Sequence, residues 1–275
     1  MKRTGQRRRK NKSRFSSLES EVSKMKVAII GYGFVGTATE YFLINGFKET
    51  FDIQILDPAK GYNDIEWKGI EYAFICVPTN LKEDKLDASI IDNILDDLDP
   101  NVHPIIRSTV GPEQALNLAR RGCIMMPEFL RERHWKEDVM NPNIDLIVGA
   151  WWNDKFVDLM SNNTIGKMVK HVTPMEASMM KMARNAALAV KVGLANEFND
   201  ICKSMDIDYK VLQEFLESDE NLGGTHWAVP GPDKKVGFGG TCLPKDLTHA
   251  STLSYNKHNI MNTALEANKS RRDNE

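Results

Sequence analysis

The feature that most constrains the fold is a change of rhythm near residue 173. Before it, six short apolar runs recur, at 26–30, 51–56, 72–77, 103–108, 122–126 and 145–150, each bounded by Gly, Pro, Asp or Asn. Runs that are apolar throughout, rather than alternating with polar residues, make strands buried on both faces, and helices must then cover both faces. Amphipathic stretches at 34–46, 87–97, 112–120 and 153–162 supply those helices. The spacing predicts an α/β unit over 25–170, a Rossmann-type doubly wound parallel sheet.

After that unit the strands stop. Thr173-Pro174-Met175-Glu176 reads as a helix start. Thr173 is the N-cap, Pro174 the first helical residue, and Glu176 completes a capping box. No further proline follows before about residue 205, so one helix on the order of 45 Å is predicted, at 1.5 Å per residue. Its consecutive Ala186, Ala187, Leu188, Ala189 and Val190 require shelter on more than one side. Shorter helices fit at 208–217, 245–254 and 259–270. An all-helical central unit over 171–275 is expected, dimerising through its long helix because a small helical unit cannot cover that much apolar surface.

Composition removes other classes. Apolar residues make up 41% and charged residues 27% of the 275, as in ordinary globular proteins. No window holds eighteen uninterrupted apolar residues, so no membrane-spanning helix is predicted. Cys76, Cys123, Cys202 and Cys242 lie far apart without metal-ligand spacing, which predicts free thiols, no metal site and a cytoplasmic setting. Residues 1–24 carry a net charge of +7 against −9 for the rest. That segment reads as a disordered basic tail, an appendage rather than a nucleic-acid arm.

Five groups of residues carry candidate chemistry. Gly31, Gly33 and Gly36 form GYGFVG directly after the first strand. Gly31 allows a tight turn, Gly33 a close approach to pyrophosphate, and Gly36 close packing of helix on strand; the phosphates would rest on the helix N-terminus, at Phe34 and Val35. Asp57 ends the second strand, where a carboxylate binds ribose hydroxyls and repels a 2′-phosphate. This register points to NAD. Val77, Pro78 and Thr79 close the third strand and Ser108 and Thr109 the fourth, at the sheet edge where ligands bind in such folds. Glu128, Phe129, Leu130, Arg131 and Glu132 follow the fifth strand; they fit a solvated loop or a substrate clamp with an acid–base group equally well. Lys181 and Asn185, four apart, share one helix face; taken alone, snorkelling to water explains the lysine. Last, Phe238, Gly239 and Gly240 lead to Cys242, with Asp246 one turn into a helix starting near Pro244. Glycine-rich loops do not build cores, and a thiol at a helix N-terminus suits a nucleophile.

Taken together, GYGFVG, Asp57, CVPT, STV, PEFLRE, KMARN and GFGGTCLPKD, in this order, resemble the UDP-glucose/GDP-mannose dehydrogenases over about 25–270. The resemblance implies NAD-dependent, two-step oxidation of a nucleotide-sugar C6 alcohol, UDP-glucose by default, to the uronic acid. It implies Cys242 as the nucleophile, forming a thiohemiacetal and then a thioester. Lys181 would stabilise the oxyanions, with Asn185 holding a water. Asp246 would assist at the thiol, Thr109 would position water, and Glu128 would serve thioester hydrolysis. Phe129, Leu130, Arg131 and Glu132, with Lys181, Asn185 and the backbone of Phe238, Gly239 and Gly240, would hold the sugar. Gly31, Gly33, Gly36, Asp57, Thr79 and Thr109 would line the NAD site.

Two departures stand out. Family members continue into a nucleotide-gripping domain that this sequence lacks, so a separate chain is one expected source of that grip. Asn143 stands where the family carries an arginine. The alternatives are a single-oxidation β-hydroxyacid-type dehydrogenase working without the thiol, and a degenerate NAD-binding protein.

Overall fold

The computed structural model describes residues 24–141, 144–151 and 155–273. The basic tail, apart from Lys24, lies outside the described residues, as does Asn143. In chain order the elements are β1 (Met25–Ile30), α1 (Phe34–Asn45), β2 (Phe51–Leu56), β3 (Ile70–Ile75), β4 (Leu81–Lys82), β5 (Lys85–Leu86), α2 (Ser89–Asp97), β6 (His103–Ile106), α3 (Pro112–Arg120), β7 (Ile124–Met125), α4 (Trp135–Met140), β8 (Leu146–Gly149), α5 (Lys155–Asn163) and β9 (Val169–Val172). Then come α6 (Pro174–Ser204), α7 (Tyr209–Ser218), α8 (Leu243–Thr252) and α9 (Ile260–Asp273).

Seven strands form one sheet in the order β2-β1-β3-β6-β7-β8-β9. Alternate residues of β1 enter opposite cores. Val27 and Ile29 pack with Phe42, Phe74 and Phe156 on one face; Ala28 and Ile30 pack with Ile75, Ile91 and Leu118 on the other. This double burial is why the runs are apolar throughout. The expected parallel pairing holds from β2 to β7, but β7 meets β8 antiparallel, and β9 runs parallel to β8.

Four elements escape the apolar pattern. β9 lies past the expected last strand and reads VKHV, half polar because it is a sheet edge. β4 and β5 form a two-residue-turn hairpin, with Glu83 and Asp84 both at positive φ, the backbone such turns require. α4 is six residues, WKEDVM, too short and too charged to show a helical stripe.

α6 begins as its cap predicts. The Glu176 amide donates to Thr173 Oγ1, and the Thr173 amide donates to the Glu176 carboxylate at 2.8 Å. The helix then runs for 31 residues without a break at Gly193. Its first turn lies on β8, where a Cβ on Gly149 would come within 2.6 Å of the Ala177 Cβ. Further along, Met182, Ala186, Ala189 and Val192 form a separate core with Phe238, Leu247 and Ala250. Among the described residues, no helix is long and apolar enough to cross a membrane.

Candidate active site

The glycine loop after β1 packs tightly at its two ends and leaves open space over Gly33. Gly31 has φ +84°, and a Cβ there would lie 2.9 Å from the Cys76 carbonyl oxygen. A Cβ on Gly36 would lie 2.1 Å from the Gly31 carbonyl oxygen, so α1 packs directly on the turn. Gly33 has nothing within 4 Å of its Cβ position. The first turn of α1, which begins at Phe34 and Val35, has no side-chain cap and no acidic residue, which suits an anion site. The Asp57 carboxylate accepts the Tyr32 amide at 2.7 Å, which fixes it beside the same loop. The residues therefore fit a dinucleotide.

At the ends of β3 and β6 the hydroxyls bind protein rather than point outward. Thr79 is buried and donates to the Thr109 carbonyl at 2.7 Å; Ser108 donates to the Val77 carbonyl at 2.6 Å. These bonds lace the two strand ends together. Pro78 is exposed beside them. Thr79 and Ser108 thus shape the edge as turn chemistry would. Thr109 keeps partial exposure, and with Ser108, Pro127, Ser178 and Lys181 it lines one small cavity.

The geometry of the second half is two buried polar pairs on successive turns of α6. Lys181, 4% exposed, places Nζ 2.7 Å from Glu128 Oε1. Glu128, 7% exposed, also accepts the Leu130 amide at 2.7 Å. Burial pushes its carboxyl up, yet Lys181, the Leu130 amide and the buried Arg107 together hold it below the usual glutamate range. Snorkelling is therefore not the explanation for Lys181. One turn on, Asn185 donates to Asp246 Oδ2 at 2.6 Å, and Lys245 pairs with the other carboxylate oxygen. Asp246 is wholly buried. It bonds through its amide to the Cys242 carbonyl at 3.0 Å, so Cys242 stands at the head of α8, one turn from this pair. Of the four free cysteines only Cys242 is exposed. Burial pushes Cys76 up to about 11 and Cys123 to about 12, which makes them inert.

The residues after β7 differ in how firmly the protein holds them. Arg131 is engaged by the buried Asp138 of α4 through Nε and Nη2, at 3.0 and 2.6 Å, which braces the loop. Glu132 is exposed. Phe129 has two cations against its ring, with Lys181 Nζ 5.7 Å and the Arg184 guanidinium 5.8 Å from its centroid. Phe238 is likewise occupied. Its ring is in the core, and both of its backbone polar groups are paired with Asn268. Gly239 is partly exposed and Gly240 open.

Sequence reasoning missed Arg107, Asp138, His249 and Asn268. Arg107 donates to the Met126 carbonyl at 3.1 Å beneath Glu128; it sat unremarked inside an apolar run. His249 Nδ1 lies 3.4 Å from the Leu86 amide, and its Nε2 has no partner among the described residues. No local spacing marks any of these. Among the described residues, no three His, Cys, Asp or Glu side chains gather as metal ligands would.

Residues 175–270 match the sequence profile of the UDP-glucose/GDP-mannose dehydrogenase family, central domain. The UDP-glucose 6-dehydrogenase of Rickettsia felis is 29% identical over 249 residues, which cover 82% of this chain and 54% of that protein. The chain thus spans about half the length of that curated relative. Among solved structures, a UDP-glucose dehydrogenase from Pyrobaculum islandicum superposes with a TM-score of 0.72 at 19% identity, over 91% of this chain and 69% of that one. Psf3 in complex with NADP+ and 2-OPP gives 0.63 at 15% identity, over 90% and 94%. Over residues 175–270 the chain is therefore similar to the central domain of the UDP-glucose/GDP-mannose dehydrogenases, and over most of its length it resembles a UDP-glucose 6-dehydrogenase.

Proposed function

We propose that the chain carries the cofactor and catalytic portions of an NAD-dependent nucleotide-sugar 6-dehydrogenase, with UDP-glucose the default substrate. The observation that carries this is the placement of an exposed thiol, Cys242, at the head of the helix whose buried Asp246 is held by Asn185, one turn from the buried Lys181–Glu128 pair. Residues 25–170 form the cofactor unit and 171–275 the central unit.

NAD would be held by Gly31, Gly33 and Gly36, with Asp57 on the ribose, and when bound it accepts a hydride in each of the two oxidations. The chain's residues do the rest. The Cys242 thiolate adds to the C6 aldehyde, and the new oxyanion is stabilised by the Lys181 ammonium. Asp246 takes the Cys242 thiol proton, Asn185 orients that carboxylate and an ordered water, and loss of the C6 hydride in the second oxidation turns the thiohemiacetal into the thioester. Water, positioned at Thr109, attacks the thioester carbonyl; Glu128 accepts its proton, and the Cys242 thiolate leaves with the C–S bonding pair. The buried pairing sets the Lys181 ammonium 2.7 Å from the Glu128 carboxylate, whose charged form it favours.

A homodimer is proposed as well. Met175, Met179, Leu194 and Ile201 on α6 and Phe215 on α7 are 39–62% exposed, more apolar surface on one side than a monomer usually shows. Light scattering should give twice the chain mass. A cytoplasmic setting suits the exposed thiol.

The test is incubation with NAD or NADP and a panel of nucleotide sugars, counting reduced cofactor per acid formed. Two per acid with NAD preferred supports the reading. One per product moves the chain to the single-oxidation class, and Cys242→Ser making acid at the wild-type rate removes the covalent step.

A further inference from the structure

The segment that delivers Cys242 is held from outside the site. On the near side, Asn185 fixes Asp246 at 2.6 Å. On the far side, the Asn268 carboxamide of α9 takes both backbone groups of Phe238: the Phe238 amide donates to Oδ1 at 2.7 Å, and Nδ2 donates to the Phe238 carbonyl at 3.0 Å. A carboxamide used this way copies one rung of a β-ladder. The residues between Phe238 and the thiol are Gly239, Gly240 and Thr241, and two glycines in succession have little stiffness of their own.

The glycines report the same arrangement. A Cβ on Gly237 would stand 2.3 Å from Asn268 Oδ1. One on Gly239 would stand 2.6 Å from Arg272 Nη2 and 2.7 Å from Asp233 Oδ2. These two positions are therefore closed to side chains by α9 and its partner Asp233, whatever ligand lies above. At Gly240 the position is open and the need is conformational, with φ +76°.

We propose that Asn268 is a positioning residue for Cys242: it fixes the loop at Phe238, so the thiol four residues on is presented at the head of α8 instead of drifting with the glycines. The role in turnover rests on the reading of Cys242 as the nucleophile.

The test is residue-level amide exchange of the full chain, with turnover measured alongside. In Asn268→Ala, exchange over 238–242 should quicken about tenfold, the scale of one or two lost hydrogen bonds, while α8 amides stay as in wild type. Acid formation should show a kcat lower by about tenfold with KM for the nucleotide sugar within about threefold. Asn268→Asp keeps the acceptor and loses the donor, and should fall between the two; it also serves if Asn268→Ala does not fold. Arg271→Ala controls for the docking of α9 in general, because Arg271 ties that helix to Glu197 and Asp200 of α6; its 238–242 exchange should stay near wild type. Wild-type exchange in both Asn268 variants, or equal loosening in Arg271→Ala, overturns the proposal. If Cys242→Ser still makes acid at full rate, the thiol chemistry fails on its own, and the exchange result still decides whether Asn268 holds the loop.

Discussion

The sheet half and the helical half of this molecule prepare their sites by opposite means. Over β1, α1 and β2 the site is made by leaving side chains out: two glycines are closed by backbone, a third is open, and an uncapped helix end faces the gap. Over α6 and α8 it is made by burying charge, with Lys181 on Glu128 and Asn185 on Asp246 away from water. A site made of omissions is strained by added atoms. A site made of buried charges is damaged by their removal, because each partner left behind is desolvated and alone. Substitutions should therefore separate stability from ligand binding in the first half and join them in the second.

The largest effect is expected where charge is buried. Lys181→Met should cost about 3–5 kcal/mol in urea denaturation, since Glu128 is left uncompensated. Adding Glu128→Leu should recover most of it; a double variant as unstable as the single one would break the comparison. The same pair sets an acid limit. The Glu128 carboxyl is held below its usual range, so its stabilisation is complete above the ordinary glutamate value of about 4.3 and is lost as pH falls through its folded value. Melting temperature against pH should drop more steeply below about pH 4 in wild type than in Glu128→Gln.

The middle effect separates two neighbouring glycines. Gly36→Ala forces a methyl to 2.1 Å from the Gly31 carbonyl oxygen and should cost about 1–3 kcal/mol. Gly33→Ala meets no atom within 4 Å; its stability should stay within about 0.5 kcal/mol, while calorimetry shows NAD binding weakened about tenfold. Equal losses of stability would mean the open space over Gly33 is not a ligand's.

The smallest effect tests the junction of the halves. Thr173→Ala removes the side-chain acceptor at the start of α6 and should cost about 1 kcal/mol, read by thermal denaturation.

What the sequence disclosed follows the same division. The glycine loop, Asp57 and the α6 cap are local patterns, spanning a few residues or a strand and a helix, and each has a spacing that chemistry explains. The polar pairs are not local. Glu128 and Lys181 lie 53 residues apart, and Asn185 and Asp246 lie 61 apart. Sequence alone left Lys181 a candidate for snorkelling, because nothing near it in the chain is acidic enough to hold it. The brace on Arg131 was equally hidden, because its partner Asp138 belongs to a helix of six residues, too short to read. Val169–Val172 was hidden because an edge strand has no need of two apolar faces.

The reversed pairing of β7 and β8 has a consequence for length. Because Met125 faces Gly149 and α6 starts on that same rung, the helix must climb to Glu128 beside the rising chain. From Met125, three extended residues rise about 10 Å at 3.3 Å each. From Pro174 to Lys181, seven helical residues rise about 10.5 Å at 1.5 Å each. The two paths arrive level. A residue inserted between 174 and 181 would lift Lys181 by only about 1.5 Å, but would turn it about 100° from Glu128. Asn185 would swing from Asp246 by the same angle. The opening turns of α6 work as a screw thread, in which the number of residues sets the angle at which each pair meets.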